Sequence, residues 1–213
     1  MKPMKKPPRI IPPQLDALTP GDLFLDDEAF YQDLFFQDSD QSYLTCRNLV
    51  LRQCHLEKVT LLHNRLERFE ASNTLWEKCD LSNSELFGAS LHQVTFRQCK
   101  LTGTNFAESY LRDVTFEDCM LDYGTFANAD FRNVRFANCR LKEAEFYDLT
   151  WKNLQLKEND LQGTNWLHTS LKGLDFTSNP FEKIGLSPDQ LRGLKVDPAQ
   201  ALVIAANLGL IIE

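Results

Sequence analysis

The sequence contains no apolar run long enough to cross a membrane as a helix. Such a helix needs roughly 18 or more consecutive apolar residues, and no stretch of the 213-residue chain reaches that length. The chain begins with a basic segment, and Ile10 and Ile11 after it are followed at once by Pro12 and Pro13. The apolar region that a secretory signal needs is therefore missing. We therefore expect a cytoplasmic protein without a membrane partner.

Motifs for catalysis and for metal binding are lacking as well. The sequence has no HExxH, GxSxG, GxGxxG or P-loop pattern, and none of its six cysteines forms a CxxC pair. Without a secretion signal, we interpret the cysteines as reduced thiols. The sequence therefore predicts a protein that is not an enzyme, with no cofactor and no metal. The spacing of the four histidines does not match any metal-binding motif; they are His55, His63, His92 and His168.

An excess of positive charge is also missing, since the formal net charge is −7. General nucleic-acid binding needs basic surface to neutralise phosphates, so we predict no direct nucleic-acid partner. The acids are concentrated early: residues 10–46 hold eight acids and no Lys or Arg. Residues 47–194 hold 20 acids and 18 bases, so the arrangement of charge there is more informative than its sum.

A five-residue repeat dominates what is present. From Leu51 to Leu191, every fifth position holds Leu, Phe or Trp in 28 of 29 cases, and only Ala71 departs. Positions two residues earlier are mostly small, and the other three are largely polar. A period of five fits neither a helix nor a strand. It predicts a chain that points two residues inward and turns a corner every five.

A longer period indicates how many corners close one coil. Cysteine recurs every 20 residues, at Cys79, Cys99, Cys119 and Cys139. Twenty residues are four units of five, so we predict an all-β solenoid with four-sided coils. Neighbouring coils should lie about 4.8 Å apart, the spacing of hydrogen-bonded strands. Residues 51–185 then form about seven coils, a rod of roughly 32 Å.

The repeat resembles that of the pentapeptide-repeat family, whose unit reads A(D/N)Lxx. It stands in this chain as Ala129-Asp130-Phe131, Cys79-Asp80-Leu81 and Thr104-Asn105-Phe106. The resemblance covers about two thirds of the chain and implies a right-handed quadrilateral β-helix, here with a short C-terminal helical cap.

The predicted organisation has four parts. Residues 1–13 are basic and proline-rich and are expected to be disordered. Residues 14–50 are interpreted as an N-terminal cap merging into the first coil, because Gln41 and Cys46 stand where Leu or Phe belongs. Residues 51–186 form the β-helix. Residues 187–213 are expected to hold C-terminal helices and a dimerisation segment.

Two helix starts are predicted at the C-terminal end. Ser187 would be the N-cap of a short helix over 187–191, and Asp197 would begin a second that ends near Leu208, before Gly209. The segment is too apolar to be a free surface, so part should cover the last coil and the rest should pair two copies around a two-fold axis. The predicted dimer interface comprises Leu202, Val203, Ile204, Leu208, Leu210, Ile211 and Ile212.

The 20-residue period assigns surface residues to faces. The acid–apolar face is centred on Leu86, Phe106, Phe126, Phe146 and Trp166. Its outward acids are Glu85, Glu108, Glu145 and Asp148, with Asp122 and Glu143 on the neighbouring face, and its apolar column includes Phe87, Tyr147 and Leu167. The next face carries the basic ladder of Arg112, Arg132, Lys152 and Lys172. Segregated charge of this kind selects protein partners.

The chain is also similar to Qnr-type quinolone-resistance proteins of Gram-positive bacteria. The likeness rests on length, on the apolar C-terminal helix, and on stretches such as Lys100–Phe106 and Ser170–Phe176. It implies a dimer joined through the C-termini that binds DNA gyrase or topoisomerase IV as a DNA mimic and protects the enzyme from fluoroquinolones. Many Qnr-type proteins have loops that interrupt the register and are implicated in topoisomerase contact. This register is unbroken, so the chain resembles the loopless members.

Charge limits the extent of the mimicry. A duplex carries about one negative charge per 1.7 Å, so a 32 Å rod would need about 19, whereas residues 47–194 have a net charge of −2. Only a face-specific mimicry is compatible with this count. Three alternatives stay open: gyrase inhibition without drug protection, an interaction scaffold for another protein, and direct nucleic-acid binding through the basic ladder.

Overall fold

The computed structural model describes residues 9–212, and they form a parallel β-solenoid of about eight turns. From Phe30 onward, stacked residues differ by 20 in number, as in the pairs Leu111↔Phe131 and Phe131↔Trp151, whereas Thr19 pairs with Leu34 at an offset of 15. The predicted fold class is therefore confirmed. The strands are β1 (Thr19–Pro20), β2 (Phe30–Gln32), β3 (Leu34–Gln37), β4 (Thr45–Arg47), β5 (Val50–Arg52), β6 (His55–Glu57), β7 (Arg65–Glu67), β8 (Glu70–Glu77), β9 (Ser90–Arg97), β10 (Tyr110–Glu117), β11 (Asp130–Ala137), β12 (Thr150–Lys157), β13 (Asn165–Trp166) and β14 (Gly185–Leu186).

The coils begin earlier than residue 51. Strand β2 pairs with β5 and β4 pairs with β7 at the same 20-residue offset, so residues 30–50 already form a full coil. Cys46 is fully buried at a core position, and the backbone N–H of Gln41 donates to Thr60 O at 2.9 Å. Backbone pairing to the next coil keeps these residues in register although neither is Leu or Phe.

Corners recur every five residues because the chain there adopts a left-handed backbone conformation. Asn128, Asn133 and Asn138, for example, have φ of 58°, 58° and 55°. Asn, Asp and Gly tolerate this conformation best, which explains their frequency at the corners. Each corner directs the following strand along the next side of the coil.

Aromatic rings stack along the axis of the core. Phe116 lies between Phe96 and Phe136, with ring centroids 5.1 and 4.7 Å away and nearly parallel planes. A second stack continues through Phe126 and Phe146 on the opposite side of the core. Like side chains meet because the sequence period equals the length of one coil, so the solenoid is filled with packed side chains along its length.

Helix α1 (Pro198–Asn207) covers the last coil. It begins with the predicted capping box, in which Asp197 and Gln200 bond each other's backbone, and it ends before Gly209 at φ +88°. Gln200 Nε2 also donates to Phe176 O at 2.8 Å and to Asn179 O at 2.9 Å. These carbonyls belong to the open edge of the solenoid, where no further coil can satisfy them.

The first predicted helix is only a single 3₁₀ turn, Pro188–Gln190. Ser187 does not cap it. Its Oγ instead accepts from the backbone N–H of His168 at 2.8 Å, because it lies over the coil beneath. At Ser187 the hydrogen bond to the neighbouring coil therefore replaces the N-cap bond that the local sequence predicts.

The predicted disorder of residues 1–13 falls partly outside the described residues, which start at Arg9. Residues 9–13 do not match it, because they lie against the solenoid, where Ile11 N donates to Asp113 Oδ1 at 3.2 Å. Among residues 9–212, none of the helices has both the length and the apolar character needed to cross a membrane.

Candidate protein-interaction faces

Two carboxylates of the acid–apolar face accept hydrogen bonds from side-chain amides. Glu85 Oε2 accepts from Asn105 Nδ2 at 2.6 Å, and Glu145 Oε2 accepts from Asn165 Nδ2 at 2.7 Å. In both pairs the amide belongs to the next coil, directly above the acid. Because an amide orients a carboxylate without neutralising it, both charges stay at the surface.

Glu108 and Asp148 lie at the corner of the same face, two coils apart. Both are exposed and both have the left-handed backbone of corner residues, with φ of 57° and 48°. Within residues 9–212, neither side chain has a hydrogen-bond or ion-pair partner. Two coil steps separate them by about 10 Å. These two carboxylates are the acids of the face that are most available to a partner.

The apolar column of the face is exposed at both ends and narrow in the middle. Phe87 is 51% exposed, and Tyr147 and Leu167 stand on adjacent coils at the other end. The Tyr147 ring contacts that of His168 edge to face at 5.1 Å, which holds it upright. Large apolar groups left in water beside charges are a common feature of interaction surfaces.

Asp122 does not fit the predicted acidic surface. Its side chain is buried, and Oδ2 lies 2.6 Å from Arg140 Nε while Oδ1 accepts from Lys142 N at 3.2 Å. Its charge is therefore neutralised and covered, so it is unavailable to a partner. Glu143 is exposed, with its carboxylate against the backbone of Gly163.

The sequence-based description of this face missed its basic end. Arg65 and Arg68 precede the first acid by one coil in the same columns, and Arg65 Nε lies 2.9 Å from Glu67 Oε1. These arginines line a shallow depression together with Glu85 and Phe87. Counting back 20 residues from Glu85 and Gly88 would have found them. The face therefore changes from basic to acidic along the rod.

The basic ladder is half neutralised by neighbouring acids. Arg132 donates to both carboxylate oxygens of Asp130 at 3.2 Å, and Arg112 Nε lies 3.9 Å from Asp113 Oδ2. The Asp130 carboxylate raises the pKa of Arg132 further, so this guanidinium is always charged. Lys152 and Lys172 have no ion-pair partner within residues 9–212. The ladder therefore offers two unpaired cations rather than four.

The stacked cysteines are buried free thiols. Each thiol donates to a backbone carbonyl of the preceding coil, as Cys99 Sγ does to Trp76 O at 3.4 Å. Burial raises the pKa of the Cys99 thiol well above its ordinary value. Reduced cysteine in this setting behaves as a small apolar side chain. Across residues 9–212, no three His, Cys, Asp or Glu side chains are grouped so as to hold a metal ion.

The C-terminal apolar residues divide into two groups. Ile204 is buried against the last coil and Val203 is half-buried, so these two cap the core. Ile204 is a correction to the predicted dimer interface, because the single chain already covers it, and Val203 is available there only in part. The other five are exposed: Leu202, Leu208, Leu210, Ile211 and Ile212.

These features define a class: a four-sided parallel β-solenoid with a filled core, whose recognition elements lie on its outer faces. Two family models match the chain, one described as a pentapeptide repeat region over residues 89–166 and one as pentapeptide repeats (8 copies) over 71–103. The same register continues through the other coils, so the pentapeptide repeat of these models extends along most of the solenoid.

Solved structures with a similar architecture include a trypsin-treated form of QnrB1, a plasmid-mediated fluoroquinolone resistance protein. It is 15% identical, with a TM-score of 0.45, over 91% of this chain and 96% of that one. Another is HetL, a pentapeptide repeat protein involved in heterocyst differentiation regulation from the cyanobacterium Nostoc sp. strain PCC 7120. It is 14% identical, with a TM-score of 0.31, over 75% and 85%. A search of curated proteins finds no match. Likeness at this level says nothing about what this chain binds.

Proposed function

We propose that this protein is a non-enzymatic rod that binds bacterial type II topoisomerase, DNA gyrase or topoisomerase IV, and protects it from fluoroquinolones. The acid–apolar face would contact the enzyme where duplex DNA otherwise lies. The observation that carries the proposal is the exposed pair Glu108 and Asp148, which has no neutralising partner within residues 9–212 and lies beside Tyr147 and Leu167. The sequence resemblance to loopless Qnr-type proteins agrees with it.

The magnitude of the charge makes this mimicry partial. From the coil of Leu86 to that of Trp166 the face spans four steps, about 19 Å, over which a duplex carries about 11 charges. With Asp122 neutralised, five acids remain: Glu85, Glu108, Glu143, Glu145 and Asp148. Fewer than half of the charges of DNA are present. The exposed apolar column must therefore contribute to affinity, which a DNA duplex cannot do in the same way.

The regular coil bears on protection as well as on binding. Paired residues keep the 20-residue offset from Phe30↔Val50 to Asp175↔Lys195. A rod of this kind presents a rigid surface, so little conformational freedom is lost when it binds. Between residues 30 and 195 no long loop interrupts the coils and could reach into a drug site. Inhibition of gyrase without rescue is therefore the closest alternative to protection.

We further propose that two copies pair through their C-terminal ends. The five exposed apolar residues of the tail lie at the capped end of the rod, beyond the coil that Ile204 covers. Pairing around a two-fold axis would bury this group against itself. The two acid–apolar faces would then extend along one longer assembly.

The decisive experiment is a gyrase supercoiling assay with and without ciprofloxacin, titrated with purified protein. We expect supercoiling in drug to recover at concentrations that leave drug-free gyrase active. The variant Glu108→Lys with Asp148→Lys should lose at least tenfold in potency, because both open carboxylates are reversed. The matched control is Asp118→Lys with Glu158→Lys, which makes the same charge change at exposed corner positions on the other side of the rod.

The outcomes separate the alternatives. Inhibition without rescue keeps the topoisomerase as partner and removes the protective role. Equal losses in the test and control variants would show that total charge matters rather than this face. No effect of the protein on gyrase or on topoisomerase IV would overturn the proposal and favour a scaffold for another partner.

A further inference from the structure

One corner of the solenoid differs chemically from the other three. It joins the basic-ladder face to the face centred on Phe96, Phe116 and Phe136, in the middle of strands β8 to β12. Over six consecutive coils its left-handed residue is always an amide or a carboxylate. These residues form what we call the amide corner: Gln53, Asn73, Gln93, Asp113, Asn133 and Asn153.

The amide corner is also covered. All six of its residues are buried or half-buried, whereas Gln98, Asp118, Asn138 and Glu158 at the next corner are all exposed. Asp113 is 3% exposed although it occupies an outward corner position. A covered carboxylate needs hydrogen bonds, and Asp113 has them from Ile11 N at 3.2 Å and from Asn133 Nδ2 at 3.1 Å.

The segment that covers it is the N-terminal stretch of the chain itself. Besides the bond from Ile11 to Asp113, the backbone N–H and C=O of Gln14 both bond the Asn73 side-chain amide. Arg9, Ile10 and Pro12 line a shallow pocket beside the amide corner together with Thr95 and Thr115 of the adjacent face. The contacts are from side chains of the solenoid to main chain of the segment, so they resemble recognition of an extended peptide.

The geometry fits an extended chain running along the rod. Asp113 and Asn73 are two coils apart, about 10 Å, and the three residues from Ile11 to Gln14 span about 10 Å when extended. Pro12 and Pro13 lie between the two anchors and have no N–H, so the segment presents only the donors that the groove accepts. Proline also favours the extended conformation before binding.

We propose that the amide corner is a peptide-binding groove, and that residues 9–15 of this chain occupy it in cis as a displaceable strap. The groove recognises an extended segment of the form donor–Pro–Pro–donor through its main chain. Because the recognition elements belong to the groove, the same segment supplied in trans binds there when the strap is released.

The test uses the full-length chain with the strap released by Ile11→Pro and Gln14→Pro, which remove both donated N–H groups. A fluorescent peptide of residues 9–15 is titrated against this variant and against wild type, with binding followed by anisotropy. We expect saturable binding to the released variant and at least tenfold weaker binding to wild type, where the strap competes. A peptide carrying Gln14→Pro should not bind.

A matched pair of groove variants tests the site. Adding Asp113→Ala to the released variant should abolish peptide binding, whereas adding Asp118→Ala should not. Asp118 is a corner carboxylate that, like Asp113, accepts from the Asn of the next coil, but it is exposed. Hydrogen exchange of wild type provides a second measurement, in which the Ile11 and Gln14 amides should be protected. Exchange at free-peptide rates, or no peptide binding to the released variant, would overturn the proposal.

Discussion

At the scale of single residues, backbone groups at the open end of the solenoid decide much of the stability. Each inner coil satisfies its neighbour's carbonyls, but the last coil has no neighbour. Gln200 replaces it at two positions, Phe176 O and Asn179 O, and is itself buried. Asn179 in turn bonds Asn159, so an amide ladder continues where the cysteine column ends.

We predict that Gln200→Ala lowers the free energy of unfolding by about 1–3 kcal/mol, because the buried Asn179 O loses its side-chain donor and Phe176 O keeps only the backbone N–H of Asn179. The same change removes the half of the α1 capping box in which Gln200 Oε1 accepts from Asp197 N. Urea unfolding followed by circular dichroism measures the difference. Gln190→Ala is the control, since within residues 9–212 the Gln190 side chain bonds only the exposed Asp189, and its loss should change stability by less than about 0.5 kcal/mol. Equal effects would show that the edge contacts of Gln200 are unimportant.

At the scale of elements, helix α1 and the segment after it perform two tasks. The buried side of the helix, with Gln200 and Ile204, closes the core. The segment after it turns at Gly209 and exposes Ile211, which is 91% exposed. A residue that contributes nothing to the fold of one chain can be changed without unfolding it, so the proposed pairing is open to a direct test.

We predict that Ile211→Glu weakens self-association roughly tenfold or more, equivalent to about 1.4 kcal/mol, by placing a charge in an apolar interface. Sedimentation velocity over a range of concentrations measures it. Phe24→Glu changes another exposed apolar side chain at the far end and should leave association unchanged. If wild type stays monomeric at every concentration, pairing through this end is wrong.

At the scale of the whole molecule, the distribution of charge among the faces is more informative than the net charge. The acids of the acid–apolar face and the cations of the ladder belong to adjacent sides of one rod. Two of the four ladder cations are paired with acids of their own surface. A duplex approaching the ladder would therefore meet few available cations and a nearby acidic face.

We predict no saturable binding of a labelled DNA duplex at physiological ionic strength, measured by fluorescence anisotropy. With two unpaired cations, the affinity would fall with salt at a slope of only about −1.8, typical of weak contact. A steep salt dependence that disappears in Lys152→Glu with Lys172→Glu would contradict this expectation. It would instead support the ladder as a nucleic-acid site.

The repeat made most of the fold predictable. Every fifth residue from Leu51 onward is apolar, and a 20-residue return of cysteine shows how many sides a coil has. The capping box of α1 was also readable, because it depends on residues three apart. The sequence placed the first coil within residues 14–50 but not the residue at which it begins, since Gln41 and Cys46 keep their places through backbone pairing rather than through side-chain pattern.

The candidate faces were less predictable for a physical reason. The period assigns a residue to a face, but it does not show whether a neighbour neutralises or covers it. Arg140 and Asp122 are 18 residues apart and meet only when coils stack, so the loss of Asp122 from the acidic surface could not be foreseen. The contact between the strap and the solenoid was even less predictable from the sequence, because Gln14 and Asn73 are 59 residues apart and share no repeat position.

The sequence by itself determined the solenoid, its four sides, the stacked core and the placement of most surface residues, because a strict period leaves one way to bury the apolar columns. The tertiary structure alone decided which charges are paired, which tail residues are exposed and where the N-terminal segment lies. These depend on contacts between residues with no periodic relation. Such contacts follow from the shape of the folded surface rather than from local spacing.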